Sequence, residues 1–353
     1  MALTLDARAL LAPAHAGAAA LEPAQQAVEQ AARALQRGAL VGLPTETVYG
    51  LAADADQPQA VGRIFDAKGR PKDHPLIVHL AGATAEQWQA GVAHYARELP
   101  DFAQQLMQAF WPGPLTLILP RKPEVGTASA GGQDSIGLRC PAHPVAQALL
   151  QACQAIGIHG LAAPSANRFG RVSPTSADHV RDEFDALLSD DELLILDGGP
   201  CPVGIESTIV DCSRGRPVLL RPGMIGIEAL EAALGQPVAL RDQAAPKASG
   251  TLESHYAPTA RVRLMPQAEM QAALDLLGSE ARHIAIYTRQ PVSSASRHLR
   301  LRYMPTRADA CAQELFAVLR ELDQPDTRLI WVETPPADAA WDGVRDRLQR
   351  AAA

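Results

Sequence analysis

The sequence predicts an α/β protein: a larger domain built on a mixed sheet, followed by a smaller α/β domain. Length is the first reason, since 353 residues at about 150 per domain make two domains. Composition is the second, because 47% apolar residues supply a sizeable core. Patterning is the third: helical periodicities lie among short apolar runs, several of them adjacent in sequence, so strands of both directions are expected rather than strict parallel alternation.

The elements follow in order. Ala27, Val28, Ala31 and Leu35 share one face of a helix over 25–37, and Gly38 stops it. Ala39 to Leu43 is a strand whose exit Pro44 marks, because proline cannot donate to a central ladder. Pro58 to Ala67 reads as a helix with Val61, Ile64 and Phe65 inward, and Leu76 to Leu80 as a buried strand. Further strands are expected at 115–119, 136–140, 193–196, 208–211 and 218–221, with helices near 97–110, 144–156, 176–187 and 227–234. Periodicity fades from Gly235 to Pro258 into the Gln236-Pro237, Ala245-Pro246 and Ser249-Gly250 composition of a linker. Beyond it, strands at 261–264, 283–287, 301–304 and 329–333 and helices at 267–277, 307–322 and 338–350 make a compact βα layer. The boundaries are thus 24–225 for the large domain, 226–260 for the linker and 261–350 for the small domain.

A net charge of −7 makes the chain a poor overall polyanion binder, so any nucleic-acid contact must be local. No apolar run is long enough for a membrane span, and the alanine-rich start has Asp6 and no basic region, which reads as cytoplasmic without a signal peptide. Cys140, Cys153, Cys201, Cys212 and Cys311 are widely spaced and contain no C-x-x-C pair, which argues for free or buried thiols rather than a disulfide frame or structural zinc. Phosphate-loop, zinc-protease and serine-hydrolase motifs are absent, as is a dinucleotide-binding glycine fingerprint.

What remains is a set of polar loops. Arg63, Lys68, Arg70 and Lys72 surround a single Asp66, and Pro71 braces the turn between helix and strand. Such a turn either stays hydrated or aims a lysine and a bidentate arginine at phosphate. Thr45, Glu46, Thr47 and Tyr49 precede Gly50 in a loop that is a ligand cradle or, more plainly, capping chemistry. Residues 163–167 with Ser173-Pro174-Thr175 form a second hydroxyl and amide loop, equally readable as turn punctuation, and 204–208 form a third. Arg139 and Arg221 each close a strand.

Taken in order, PTETVYGLA, KGRPKDHPLIVH, PGPLTLIL, SIGLRCPAHP, APSAN with SPT, GIESTIVD and LLRPG resemble the threonylcarbamoyl-AMP synthase family with its YrdC-like domain. The segment Ser254-His255-Tyr256-Ala257-Pro258 is similar to the interdomain linker of its two-domain members, and the likeness covers roughly residues 24 to 345. It implies a YrdC-like mixed twisted sheet with helices, joined by that linker to a smaller C-terminal Rossmann-like α/β domain. The implied activity condenses L-threonine, bicarbonate or CO2 and ATP, with Mg2+, to threonylcarbamoyl-AMP and pyrophosphate. Downstream threonylcarbamoyl-transferase proteins then carry the group to adenosine in tRNA. A direct tRNA or double-stranded RNA contact is the competing reading, from the binding-module class. The hydrogenase-maturation relatives of the domain carry cysteine pairs that are missing here.

The resemblance also assigns residues. Two anions must meet, the N-carboxylate of threonine and the triphosphate, so fixed cations and tight orientation are needed more than a strong base. Lys68 and Arg70 suit that catalytic work, with Arg221 reaching phosphate or ribose from the opposite wall. Arg139 would pair with the threonine carboxylate, and Thr47, His79, Ser207 and the Ala163 backbone map to threonine contacts. Arg70, His74, Ser135, Ser165, Asn167, Ser173 and Tyr256 map to the nucleotide side. His74 stands where asparagine is common, and Arg168-Phe169-Gly170 departs from the usual wording after Asn167. Tyr256 is expected over the nucleotide, excluding water from a labile mixed anhydride, and Trp111 is assigned to packing.

Overall fold

The computed structural model describes residues 2–12, 17–82, 84–251 and 255–353. Met1, residues 13–16 of the alanine-rich start and Ser254 of the linker motif lie outside the described residues. The chain divides into one unit of residues 1–169, 174–202 and 206–251, and a second of residues 170–173, 203–205 and 252–353.

In chain order the first unit contains β1 (Leu3–Asp6), α1 (Ala18–Gln36), β2 (Leu40–Leu43), β3 (Gly50–Asp54), α2 (Pro58–Lys68), β4 (Ile77–His79), α3 (Ala85–Tyr95), α4 (Asp101–Phe110), β5 (Leu115–Pro120), β6 (Ser135–Arg139), α5 (Pro144–Ala155), β7 (Leu161–Ala162), α6 (Ala177–Phe184), β8 (Leu193–Asp197), β9 (Thr208–Asp211), β10 (Val218–Arg221), α7 (Ile227–Leu234) and β11 (Ala239–Leu240). Among the described residues the strands form one sheet in the order β1-β8-β2-β3-β7-β4-β6-β5-β9-β10-β11. The sheet is mixed, as expected. β4 runs parallel to β6, β6 antiparallel to β5, β5 parallel to β9 and β9 antiparallel to β10.

Because strand side chains alternate between faces, the central strands feed two cores. Val41 and Leu43 of β2 and Ala52 of β3 pack with Val28, Ala31 and Leu35 of α1 and Val145 and Leu149 of α5. Leu40, Leu51 and Ala53 turn the other way, toward Ile64 and Phe65 of α2, Trp88 of α3 and Leu117 and Leu138. Trp111 does pack: it is buried, meets Trp88 edge-on, and its indole N–H donates to the Leu115 carbonyl at 2.8 Å.

Two parts of the sequence reading needed revision. α1 begins at Ala18 and contains Pro23. β1, β3, β11 and α3 went unpredicted: β3 is Gly-Leu-Ala-Ala-Asp, without a β-branched residue, and β11 has two residues. For α3 a signal existed, the capping box of Thr84 and Gln87.

The second unit carries β12 (Arg261–Met265), α8 (Gln267–Leu277), β13 (Ile284–Thr288), β14 (Arg300–Tyr303), α9 (Ala308–Leu322), β15 (Leu329–Glu333) and α10 (Asp342–Ala352). Its described strands are all parallel, in the order β12-β15-β13-β14. Met265, Met270, Leu274, Ile284, Ile286 and Trp331 form a core there. Tyr256 and Ser173 both belong to this unit. The Tyr256 ring is buried 5.3 Å from that of Phe316, with the Arg347 guanidinium 5.5 Å from its centre, and Ser173 is buried with its carbonyl accepting from Arg320.

No helix among the described residues is long and apolar enough to cross a membrane. The five cysteines are free and buried, and burial pushes the Cys140, Cys153 and Cys311 thiols up to about 12.

Candidate functional site

The candidate site residues gather on one face of the first unit's sheet, and period two explains which of them reach it. Leu138, Leu117 and Val210 point into the apolar core, so Ser135, Gly137 and Arg139 of β6, Thr116 and Ile118 of β5, Ile209 of β9 and Ser207 just before it take the other face. Register then aligns a polar row: His79 sits opposite Arg139, and Arg139 opposite Thr116. Thr116 shares a 2.7 Å hydroxyl contact with Ser207. A bulge between Leu219 and Arg221 brings Arg221 opposite Ile209, where its Nε and Nη2 donate to the Ser207 carbonyl at 3.1 and 2.8 Å. Beside this row, Ile77, Ile118, Gly137, Ile209 and Ser135 line a small cavity of about 10 Å³, room for about one water molecule, which residues 247–249 also line.

Lys68 arrives by helical periodicity. It continues the buried stripe of Val61, Ile64 and Phe65 at the i+7 position, so α2 carries its ammonium inward. Nζ donates to the carbonyls of Ser165, at 2.6 Å, and Asn167. Gly69, with φ +61°, ends α2 in the left-handed region and turns the chain back. Arg70 is buried too; its Nη2 donates to the Pro75 carbonyl at 3.0 Å and its guanidinium lies 5.7 Å from the Phe169 ring centre. Phe169 also meets His74 edge-on. Arg63 and Lys72, the other members of the basic cluster, are exposed.

Arg139 is fixed from the loop between β2 and β3. Its Nη1 donates to Thr47 Oγ1 at 2.8 Å, and its Nη2 lies 2.7 Å from Glu46 Oε1. The Thr45 hydroxyl locks that loop by donating to the Val48 carbonyl at 2.6 Å while accepting from the Thr47 and Val48 N–H groups. The neighbouring wall is residues 163–167. Ala163 N–H donates to the Ile77 carbonyl at 3.0 Å, and Gly50 bridges to Ser165. A Cβ on Gly50 would come 3.0 Å from that of Ala163, tighter than ordinary packing, so a larger residue there would press the two loops apart.

Burial decides the charges. His79 is pushed down to about 3, by desolvation first and by the Arg139 charge second, so it is neutral near pH 7. Desolvation and then the Arg70 charge drive the Lys68 ammonium well below the usual lysine range, and the same causes in the same order lower His74. Lys68, Arg70, Arg139 and Arg221 are all buried, which favours an arriving polyanion.

Thr47, Lys68, Arg70, His74, His79, Ser135, Arg139, Ala163, Ser165, Asn167, Ser207 and Arg221 therefore all fall in the first unit, tied by the contacts above. Ser173 and Tyr256 fall in the second. Sequence reasoning passed over Thr116, Phe169 and Ser249 and left Glu46 without a role. Strand alternation held the signal for Thr116. Nothing local marked Ser249.

A family model described as telomere recombination matches residues 33–223, and one described as threonylcarbamoyl-AMP synthase, C-terminal domain, matches residues 225–353. The chain belongs to the threonylcarbamoyl-AMP synthase family. It is 36% identical over 333 residues to the threonylcarbamoyl-AMP synthase of Pyrococcus abyssi, covering 91% of this chain and 92% of the relative. The Bacillus subtilis threonylcarbamoyl-AMP synthase is 37% identical over 343 residues, covering 92% of each. The crystal structure of P. abyssi Sua5 complexed with L-threonine superposes with a TM-score of 0.83 at 32% identity, covering 100% of this chain and 97% of that one. Like the threonylcarbamoyl-AMP synthases it resembles, this chain is an ATP-using nucleotidyltransferase whose product serves N6-threonylcarbamoyladenosine formation in tRNA.

Proposed function

We propose that the sheet face holds L-threonine and ATP end to end: threonine along the row His79, Arg139 and Ser207, ATP over Lys68, Arg70, Arg221 and Ser135. The observation that carries this is Arg139, a buried arginine held by Thr47 and flanked in register by neutral His79 and by Thr116. An immobilised guanidinium offers a carboxylate a charge-assisted fork. Thr47, Ser207 and the Ala163 backbone then surround the amino acid, with Ser165, Asn167 and His74 on the nucleotide side. Ser173 and Tyr256 are assigned to the nucleotide by resemblance alone.

The chemistry needs little from a base. The neutral threonine amine takes up CO2 as an N-carboxylate and releases its N–H proton to solvent; from bicarbonate the same product forms with loss of water. That anion attacks the α-phosphorus and pyrophosphate leaves. Buried cations set before the reaction lower the repulsion between the anions, and holding both substrates on one rigid face supplies orientation. Among the described residues no group of three or more His, Cys, Asp or Glu side chains is placed to hold a metal ion. In this reading Mg2+ would accompany the phosphates of ATP, and no step here runs through it. The substrates imply a cytoplasmic enzyme that hands its product to threonylcarbamoyl-transferase proteins.

The test is pyrophosphate release from ATP with threonine and bicarbonate each supplied or omitted, and with serine as competitor. Release that needs both supports the reading. Release indifferent to threonine overturns it, and tight RNA binding lost steeply with salt in its place would support the binding-module alternative.

A further inference from the structure

The carboxylate of Glu46 is buried beside Arg139, and nothing in the mechanism above uses it. Its side chain is 7% exposed, and neither oxygen accepts a hydrogen bond from any described residue; the Arg139 Nη2 stands 2.7 Å from Oε1 without hydrogen-bond alignment. An ionised carboxylate has about four acceptor positions, and leaving them empty in a dry site is costly. Its other neighbours do not fill them. Cys140 gives its thiol to the Gly82 carbonyl, Cys201 is held protonated by burial, and the Nδ1 of His143, a histidine kept neutral by burial, has no partner.

Arg139 is incomplete in a matching way. Nη1 is committed to Thr47, while Nε has no partner. A guanidinium with an open edge thus stands next to a carboxylate with open lone pairs, both fixed, on a loop locked by Thr45. Such a pair is the charge complement of a zwitterion whose own carboxylate and ammonium are one carbon apart.

We propose that Glu46 is a specificity-determining residue of the threonine site: its free carboxylate lone pairs receive the α-ammonium while Arg139 takes the α-carboxylate, so that the pair reads an amino acid rather than any hydroxy acid. This rests on the reading that Arg139 binds the threonine carboxylate. It gives Glu46 a direct contact with substrate, beyond holding the arginine in place.

The test is calorimetric binding of three ligands, L-threonine, L-threoninamide and 3-hydroxybutanoate, to the wild-type enzyme and to Glu46→Gln, which keeps the side-chain shape and removes the charge. Wild type is expected to prefer threonine over the deaminated 3-hydroxybutanoate by at least about thirtyfold, and Glu46→Gln to cut that preference about tenfold or more. Its preference for threonine over threoninamide, which reports on Arg139, should stay. Equal weakening of threonine and 3-hydroxybutanoate would reduce Glu46 to a brace for Arg139 and overturn the proposal. Wild-type binding of threoninamide as tight as that of threonine would instead overturn the Arg139 reading. If Glu46→Gln does not fold, Glu46→Asp decides: withdrawing the carboxylate by one methylene should narrow the same ratio, and an unchanged ratio counts against the proposal.

Discussion

Arg70 and Ser249 are 179 residues apart in the chain, yet Arg70 Nη2 donates to Ser249 Oγ at 3.1 Å. The carbonyl of the same serine accepts from Arg221 Nη1 at 2.8 Å. One residue of the segment read as linker thus meets both arginines assigned to ATP. The segment is pinned by Gln133, whose side chain exchanges hydrogen bonds with the Lys247 backbone at 3.1 and 2.8 Å, and by a 2.7 Å ion pair of Lys247 with Asp73.

Ser249→Ala should therefore lower the KM for ATP. A hydrogen bond to a charged group contributes about 1.5–3 kcal/mol, part of which water restores, so a fall of about threefold to tenfold is expected in steady-state pyrophosphate release. A raised KM would mean that the hydroxyl binds along with the nucleotide instead of competing with it.

The basic cluster should divide in function as it divides in burial. Lys68→Ala and Arg70→Ala each remove a buried cation facing the proposed phosphates, and pyrophosphate release should drop about a hundredfold or more, comparable to the loss of one transition-state donor. Arg63→Ala and Lys72→Ala remove exposed charges and should change turnover less than twofold. Similar losses from all four would show that the cluster acts as a diffuse field.

That division marks the limit of what the sequence tells. Most of the strands and helices were legible because apolar period follows element type, and the candidate-site loops were legible because their hydroxyls, glycines and cations stand in an order that resembles a family. Burial within the cluster was harder to see: Lys68 is inside because it falls at i+7 of the Val61 stripe, whereas Arg63 falls off that stripe and Lys72 lies in the exposed turn beyond the helix. Long-range pairings were not legible at all. No local pattern ties Ser249 to Arg70, and Phe169 reads as a plain departure from the family wording until its ring is found beside Arg70 and His74.

Removing one partner of a buried ion pair strands the other. Arg139→Met leaves the Glu46 carboxylate buried alone and should cost about 3–5 kcal/mol of stability in urea denaturation. Adding Glu46→Gln to Arg139→Met should recover a substantial part of that loss, since the stranded charge is gone. Additive losses in the double variant would show that the two side chains do not share an electrostatic environment.

His79 should make the protein acid-sensitive, with a sign fixed by the direction of its shift. An unfolded histidine takes a proton near pH 6.5, whereas the folded His79 does so only at about 3. Between those values the unfolded chain holds a proton that the folded chain refuses, so the contribution of His79 to stability is complete above pH 6.5 and is lost as the pH falls toward 3. From pH 6.5 to 4.5 the loss amounts to about 2 kcal/mol. His79→Gln cannot titrate and should lack this component, so the gap in unfolding free energy between pH 6.5 and 4.5 should be smaller in the variant than in the wild type by that amount. Carboxylates contribute to both proteins alike and cancel in the comparison. An identical pH dependence in the two would mean that His79 gains a proton in the folded state as readily as in the unfolded one, and it would remove the neutral histidine from the threonine end of the site.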